Sequence, residues 1–95
     1  MAKVTAFTIP GLDLWFNSSD HIPPHFHARK PGCWEVRVFF MDCAPGWLAS
    51  KKVWPRGRGG PRRQEREAIL DATLAHRVEL LAEWETKVRT RKEQS

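Results

Sequence analysis

Apolar and polar residues alternate most regularly between Cys33 and Phe40. Trp34, Val36, Val38 and Phe40 share one face there and Glu35 and Arg37 the other, the period of two of a half-buried strand. Leu12 to Asn17 alternates in the same way, with Leu12, Leu14 and Phe16 set against Asp13, Trp15 and Asn17. Lys3 to Ile9 is rich in β-formers, and Pro10-Gly11, a turn dipeptide, separates it from that run, so the two predict a hairpin. A further strand is expected from His25 to Arg29, with a turn at Lys30-Pro31-Gly32 before the Cys33 to Phe40 strand. Asp42 to Gly46 reads as another turn and Trp47 to Trp54 as a fifth strand. Four to five short strands in succession make an antiparallel meander.

Pro55 to Pro61, Pro-Arg-Gly-Arg-Gly-Gly-Pro, suits neither strand nor helix, and beyond it the period changes. Leu70, Leu74, Val78, Leu81, Trp84 and Val88 step by three or four residues, an apolar stripe suited to lying on a sheet. Glu65 and Glu67 fall in the first turn and Lys87, Arg89 and Arg91 in the last, with Glu83–Lys87 and Glu85–Arg89 as i,i+4 pairs, in keeping with the helix dipole. An unbroken helix from Arg62 to Arg91 would extend roughly 45 Å, whereas a compact domain of this size is about 30–35 Å across. A break is therefore expected at Thr73 to His76; the alternative is one long helix projecting to meet a second chain. The fold class is a single α+β domain over residues 1–95. It comprises a meander (1–54), a basic Gly/Pro loop (55–61) and a helical segment (62–91), with one C-terminal helix or a bent helical pair on the sheet.

Ninety-five residues, 41% hydrophobic and 28% charged, exclude a fibrous or multi-domain reading. A core this small leaves much of its surface exposed, so a partner chain or a homodimer is a natural source of added stability. No apolar run approaches the roughly 20 residues of a spanning helix, and no basic-then-apolar leader follows Met1. The expectation is a cytoplasmic protein with no membrane partner. Cys33 and Cys43 form no C-x-x-C pair and read as reduced, structural thiols.

Charge is concentrated rather than spread. Between Lys51 and Arg66 stand seven basic residues and one acid, a surplus larger than the net +5 of the whole chain. Lys51, Lys52, Trp54, Arg56, Arg58, Arg62 and Arg63 interleave cations with an aromatic, a pattern that follows a phosphate backbone while stacking a base. These are the candidate contacts for RNA or single-stranded nucleic acid, or for an acidic protein partner. Duplex reading is not indicated, since no helix-turn-helix, zinc-finger or RNA-recognition signature accompanies them. Five tryptophans exceed what so small a core needs. Trp34 and Trp84 are assigned to the core, and at least one other is expected at the surface as an interface anchor.

Three of the four histidines lie within Asp20-His21-Ile22-Pro23-Pro24-His25-Phe26-His27-Ala28. On a strand, His25 and His27 emerge from one face with Cα atoms roughly 6.5–7 Å apart, close enough to share a metal. His21, brought round by the diproline, or His76 from the helix would add a third ligand, so the candidate metal set is His21, His25 and His27. Asp20 is a carboxylate ligand or an orienting partner. The candidate catalytic set is His25, His27 and Asp20, acting on an RNA phosphodiester with an arginine stabilising the developing charge. A structural role takes precedence over both, because only two ligands have a geometry dictated by spacing. No cofactor is called for on that reading; the alternative is a divalent transition metal.

The block Asp20-His21-x-Pro23-Pro24-His25-Phe26-His27-Ala28, the Glu35-bearing strand and the helical His76-Arg77-x-Glu79-Leu80-Leu81-x-x-Trp84-Glu85 together resemble the small prokaryotic domain-of-unknown-function 4160 family. The resemblance runs from about Phe7 to Trp84, and the diproline–histidine block is its most specific part. It implies a compact α+β domain, often encoded beside a second small protein in a toxin–antitoxin-type pair, and brings no established reaction. Two departures stand out: Ile22 replaces a polar residue, and the linker before the helix is enlarged and basic. The function expected from sequence is a small interaction module that binds a protein encoded nearby, and RNA through the basic loop.

Overall fold

Local alternation and two Pro-Gly turns dictate most of the sheet. The computed structural model describes residues 2–57 and 59–88. Five strands, β1 (Ala2–Lys3), β2 (Asp13–Phe16), β3 (Phe26–Lys30), β4 (Trp34–Val38) and β5 (Ser50–Trp54), precede two helices, α1 (Arg63–Ala75) and α2 (Arg77–Lys87). The strands pair antiparallel in the order β1-β2-β3-β4-β5, the expected meander. Between β3 and β4 the Cys33 amide donates to the Lys30 carbonyl at 2.9 Å, and Gly32 has φ +77. That is the Pro-Gly turn in which only the second central residue needs a positive φ.

One face of the sheet carries the core. Leu14 pairs with Ala28, Ala28 with Val36, and Phe26 with Val38, so these side chains point to one side with Phe16. Ile69, Leu70 and Thr73 of α1 and Leu80 and Trp84 of α2 bury against them, together with Val88. Trp34 and Trp84 are in this core, as expected. Cys43 is buried and Cys33 exposed, both as free thiols.

The expected strands His25 to Arg29 and Cys33 to Phe40 settle at Phe26–Lys30 and Trp34–Val38, and three departures are larger. Residues 4–9 do not continue the first strand. Val4 keeps one bond to the Leu14 carbonyl, but the next amide, Thr5, donates to Glu83 Oε1 of α2 at 2.8 Å, which draws the chain out of the sheet. Phe7 then packs edge-on against Phe26, with ring centroids 5.9 Å apart, and beside His76 at 5.5 Å. The fifth strand starts at Ser50 rather than Trp47, because Ala44 and Trp47 exchange both backbone bonds across a tight turn whose Gly46 has φ +75.

The third concerns the helical stripe. His76, with φ −121 and ψ 23, separates α1 from α2, so the segment is a bent pair, not one long helix. The break changes the phase of the apolar face. Val78, placed on the core stripe by a continuous period, is 83% exposed, while Ile69 and Leu80 are wholly buried. Glu83 pairs with Lys87 at 2.7 Å as expected. Glu85–Arg89 and Arg91 involve positions outside the described residues.

Candidate functional site

The strand period places the histidine cluster. His27 sits in β3, opposite Arg37 on one side and Trp15 on the other, on the sheet face turned away from the helices. Trp15 stacks on its ring at 5.1 Å and 14°. Arg29, bonded to Asp13 at 3.0 Å, lies over the other part of the Trp15 surface, 5.3 Å from the ring centre. Trp15 is thus half-buried rather than a free anchor. His25 stands just before β3, in a box made by Phe39 and Trp84, and meets His27 at 5.2 Å.

The loop after β2 brings a carboxylate to these two rings. The Asp20 amide donates to the Asn17 carbonyl at 3.1 Å and the Asn17 amide donates to Asp20 Oδ2 at 3.0 Å, a reciprocal closure typical of aspartate in polar turns. Asp20 then reaches His27 Nε2 with both oxygens at 3.1 Å and stands 3.6 Å from His25 Nε2. The side chains of Asp20, His25 and His27 are only 10%, 6% and 5% exposed. The expected trio of Asp20, His25 and His27 therefore does assemble. One donor atom from each lies within 4.8 Å of the other two, and two imidazoles with a carboxylate are donor types that zinc-type ions take.

His21 is not in that group: it is exposed in the loop, and Asp20 occupies the third position that spacing assigned to it. His76 is also elsewhere, bonded through Nδ1 to Glu79 Oε1 at 2.9 Å and packed beside Phe7. A phosphodiester approaching either imidazole of the trio would have to displace the Asn17–Asp20 loop. The enclosure favours holding an ion or fastening the loop over acid–base work on a polymer.

The basic segment is divided between surfaces instead of forming one patch. Lys51 is exposed on the outer sheet face, directly across from Arg37, an opposition of like charges that costs stability unless an anion relieves it. Lys52 points the other way, and its Nζ is tied to the carbonyls of Gly57 and Gly59, so it fastens the loop. Trp54 is 50% exposed at the end of β5, which is an edge strand, and Arg56 follows it at the surface. Arg58 lies outside the described residues. Arg62 precedes α1, its amide bonded to Glu65 at 2.8 Å, and Arg63 is exposed and paired with Glu67 at 3.2 Å.

A groove of about 510 Å³ lies where the Ala44–Trp47 turn meets α1. Trp47, Leu48 and Leu70 line it, with Arg63, Arg66 and Glu67 around them. A second, adjoining hollow shares Trp47, Leu48 and Arg66 and continues to Lys52 and the loop. Trp47 is 64% exposed. Sequence reasoning placed Trp47 in a strand and missed it as an anchor. The readable signal was Pro45-Gly46 just before it, a turn dipeptide that presents the next side chain outward.

Comparison with known proteins adds a family. The family model described as "Domain of unknown function (DUF4160)" matches residues 11–85, a span that holds the Asp20, His25 and His27 cluster, all of α1 and most of α2. No curated protein and no solved structure matches the chain. Among the described residues no helix is long and apolar enough to cross a membrane.

Proposed function

The chain belongs to the DUF4160 family, whose description assigns no activity, and from that premise we propose that it is a protein-docking module, one member of a toxin–antitoxin-like gene pair. Its partner on this reading is the small protein encoded beside it, engaged through an acidic and apolar segment. The supporting observation is the groove between the Ala44–Trp47 turn and α1, where an exposed tryptophan stands over Leu48 and Leu70 with Arg63 and Arg66 alongside. An apolar floor, an aromatic wall and cations at the rim are the composition of interface hot spots. Carboxylates of the partner would meet Arg66, whose guanidinium has no carboxylate within 4.0 Å among the described residues.

Co-expression of the full chain with its tagged neighbour tests the reading. The two should purify as a stoichiometric complex. Trp47→Ser and Arg66→Glu should each weaken binding by tenfold or more while leaving the melting temperature within a few degrees, as is usual for surface changes. Failure to co-purify, or undiminished binding by both variants, refutes it.

A second contact, to RNA, is favoured by the opposed Arg37 and Lys51 beside the exposed Trp54. Affinity for a single-stranded oligonucleotide should fall steeply with added salt. Lys51→Ala and Trp54→Ala should weaken it whereas Arg66→Glu, on the other surface, should do so far less. Binding that is absent at low salt removes this part alone.

A further inference from the structure

The Nδ1 of His25 lies 2.9 Å from the Pro23 carbonyl. A carbonyl only accepts, so that nitrogen carries the proton and, in the neutral ring, Nε2 keeps its lone pair. The lone pair faces the Asp20 carboxylate at 3.6 Å, a separation too long for an N–H···O bond and a lone pair set against a negative charge. A backbone carbonyl that fixes the tautomer of one nitrogen and leaves the other free is the usual second partner of a metal-binding histidine.

His27 presents the same difficulty from another direction. Its Nε2 meets both Asp20 oxygens at 3.1 Å and the amide nitrogen of Asn17 at 3.2 Å. The Asn17 amide is oriented by the Trp15 Nε1–H, which donates to Asn17 Oδ1 at 3.2 Å, so it turns its NH2 toward the imidazole. One proton on Nε2 satisfies the carboxylate and opposes that NH2; no proton leaves a lone pair against a carboxylate. A cation between the imidazole and the carboxylate resolves the second case, because it offsets the carboxylate's charge where the ring lone pair faces it.

We propose that Asp20, His25 and His27 bind one divalent transition-metal ion of the zinc type, through Nε2 of His25 and Nε2 of His27 with one Asp20 oxygen. With metal–ligand bonds of about 2.0–2.1 Å, tetrahedral ligands stand about 3.3 Å apart. The separations of 3.1 Å and 3.6 Å from Asp20 to the two imidazoles bracket that value, and all three donor atoms lie within 4.8 Å of one another, so the ion would draw the two imidazoles together. Two nitrogens and one carboxylate oxygen suit zinc over calcium or magnesium. Asn17 turns its NH2 rather than its oxygen toward the imidazole, so a water would complete the set. The ion would lock the Asn17–Asp20 loop onto β3, independently of the docking groove, which lies on the other side of the sheet at α1.

Cobalt(II) titration of the chelator-treated full chain is the decisive measurement, because four- or five-coordinate cobalt absorbs in the visible. Absorption should rise to a plateau at one equivalent, disappear on adding zinc, and persist in Cys33→Ser. Asp20→Asn and His27→Gln should weaken cobalt binding by at least 100-fold. Should either variant fail to fold by far-UV circular dichroism, imidazole nitrogen resonances of the wild-type chain decide instead: zinc should shift Nε2 of His25 and leave its Nδ1 protonated. No saturable uptake by the folded wild-type chain, undiminished uptake by the folded variants, or unshifted imidazole resonances would overturn the site. Partner binding unaffected by zinc would leave the docking reading standing, so the two fail separately.

Discussion

Thr73 illustrates how a single buried atom limits this domain. Its side chain is wholly buried in α1, and its Oγ1 has no hydrogen-bond partner among the described residues. An unpaired buried hydroxyl costs about 1–3 kcal/mol. Valine has the same shape and a similar helix propensity, so Thr73→Val should raise the melting temperature by about 4–8 °C per kcal/mol recovered. A lower melting temperature would show that the hydroxyl is satisfied in solution. Single atoms also organise the candidate site. Whether Asp20 or His21 completes the trio depends on the Asn17 amide gripping Asp20 Oδ2, a contact that spacing could not rank. His25 and His27 were readable as a pair because the strand period alone aligns them; their third companion comes from a loop, which has no period.

The junction of α1 with the sheet depends on Glu65. Its Oε1 accepts from the Arg62 amide at 2.8 Å and the Trp34 indole at 3.3 Å, and its Oε2 pairs with Lys30 at 2.7 Å. One carboxylate thus caps the helix and joins it to β3 and β4. The Lys30 bond, followed by the Arg62 amide, holds its pKa below the ordinary glutamate value of about 4.5. A lowered folded-state pKa means that stabilisation is complete above the unfolded value and is lost as pH falls through the folded one. Glu65→Gln should therefore cost roughly 1 kcal/mol at neutral pH, Lys30 being partly solvated. The gap between the two melting curves should narrow below about pH 4; a gap constant across that range would contradict the assignment. The helical segment also shows where periodic reading stops. Leu70, Trp84 and Val88 were placed correctly on the core face, but Val78 was not, since the non-helical His76 backbone re-phases α2 relative to α1.

The two ends of the described chain meet. Glu83 accepts from the Thr5 amide and pairs with Lys87, whose Nζ reaches the Lys3 carbonyl at 3.0 Å. Burial raises the Glu83 pKa, yet the bonds from Lys87 and Thr5 outweigh it and the net shift is downward. Because β1 has two residues and little ladder of its own, Glu83→Ala should release it. Amide exchange at Val4 and Thr5 should accelerate at least tenfold while β3 and β4 amides keep their protection, in line with exchange that reports local opening. Uniform acceleration across the sheet would mean that the link supports the whole domain.

Side-chain alternation was enough to specify the meander, the outer-face position of His27 and the inward course of Trp34, Val36 and Val38, because each depends on geometry repeated every two residues. The length of the helical segment argued for a break, with Thr73 to His76 as its candidate place and one long helix as the alternative; the fold places it at His76. Contacts outside the regular elements chose the rest. Glu83 pulls Thr5 out of its expected strand, Lys52 turns inward to hold the loop while Lys51 faces out, and the Ala44–Trp47 turn lifts Trp47 beside Arg66. The first compares partners 78 residues apart, and the other two rest on loop and turn closures, none of which a local side-chain period encodes.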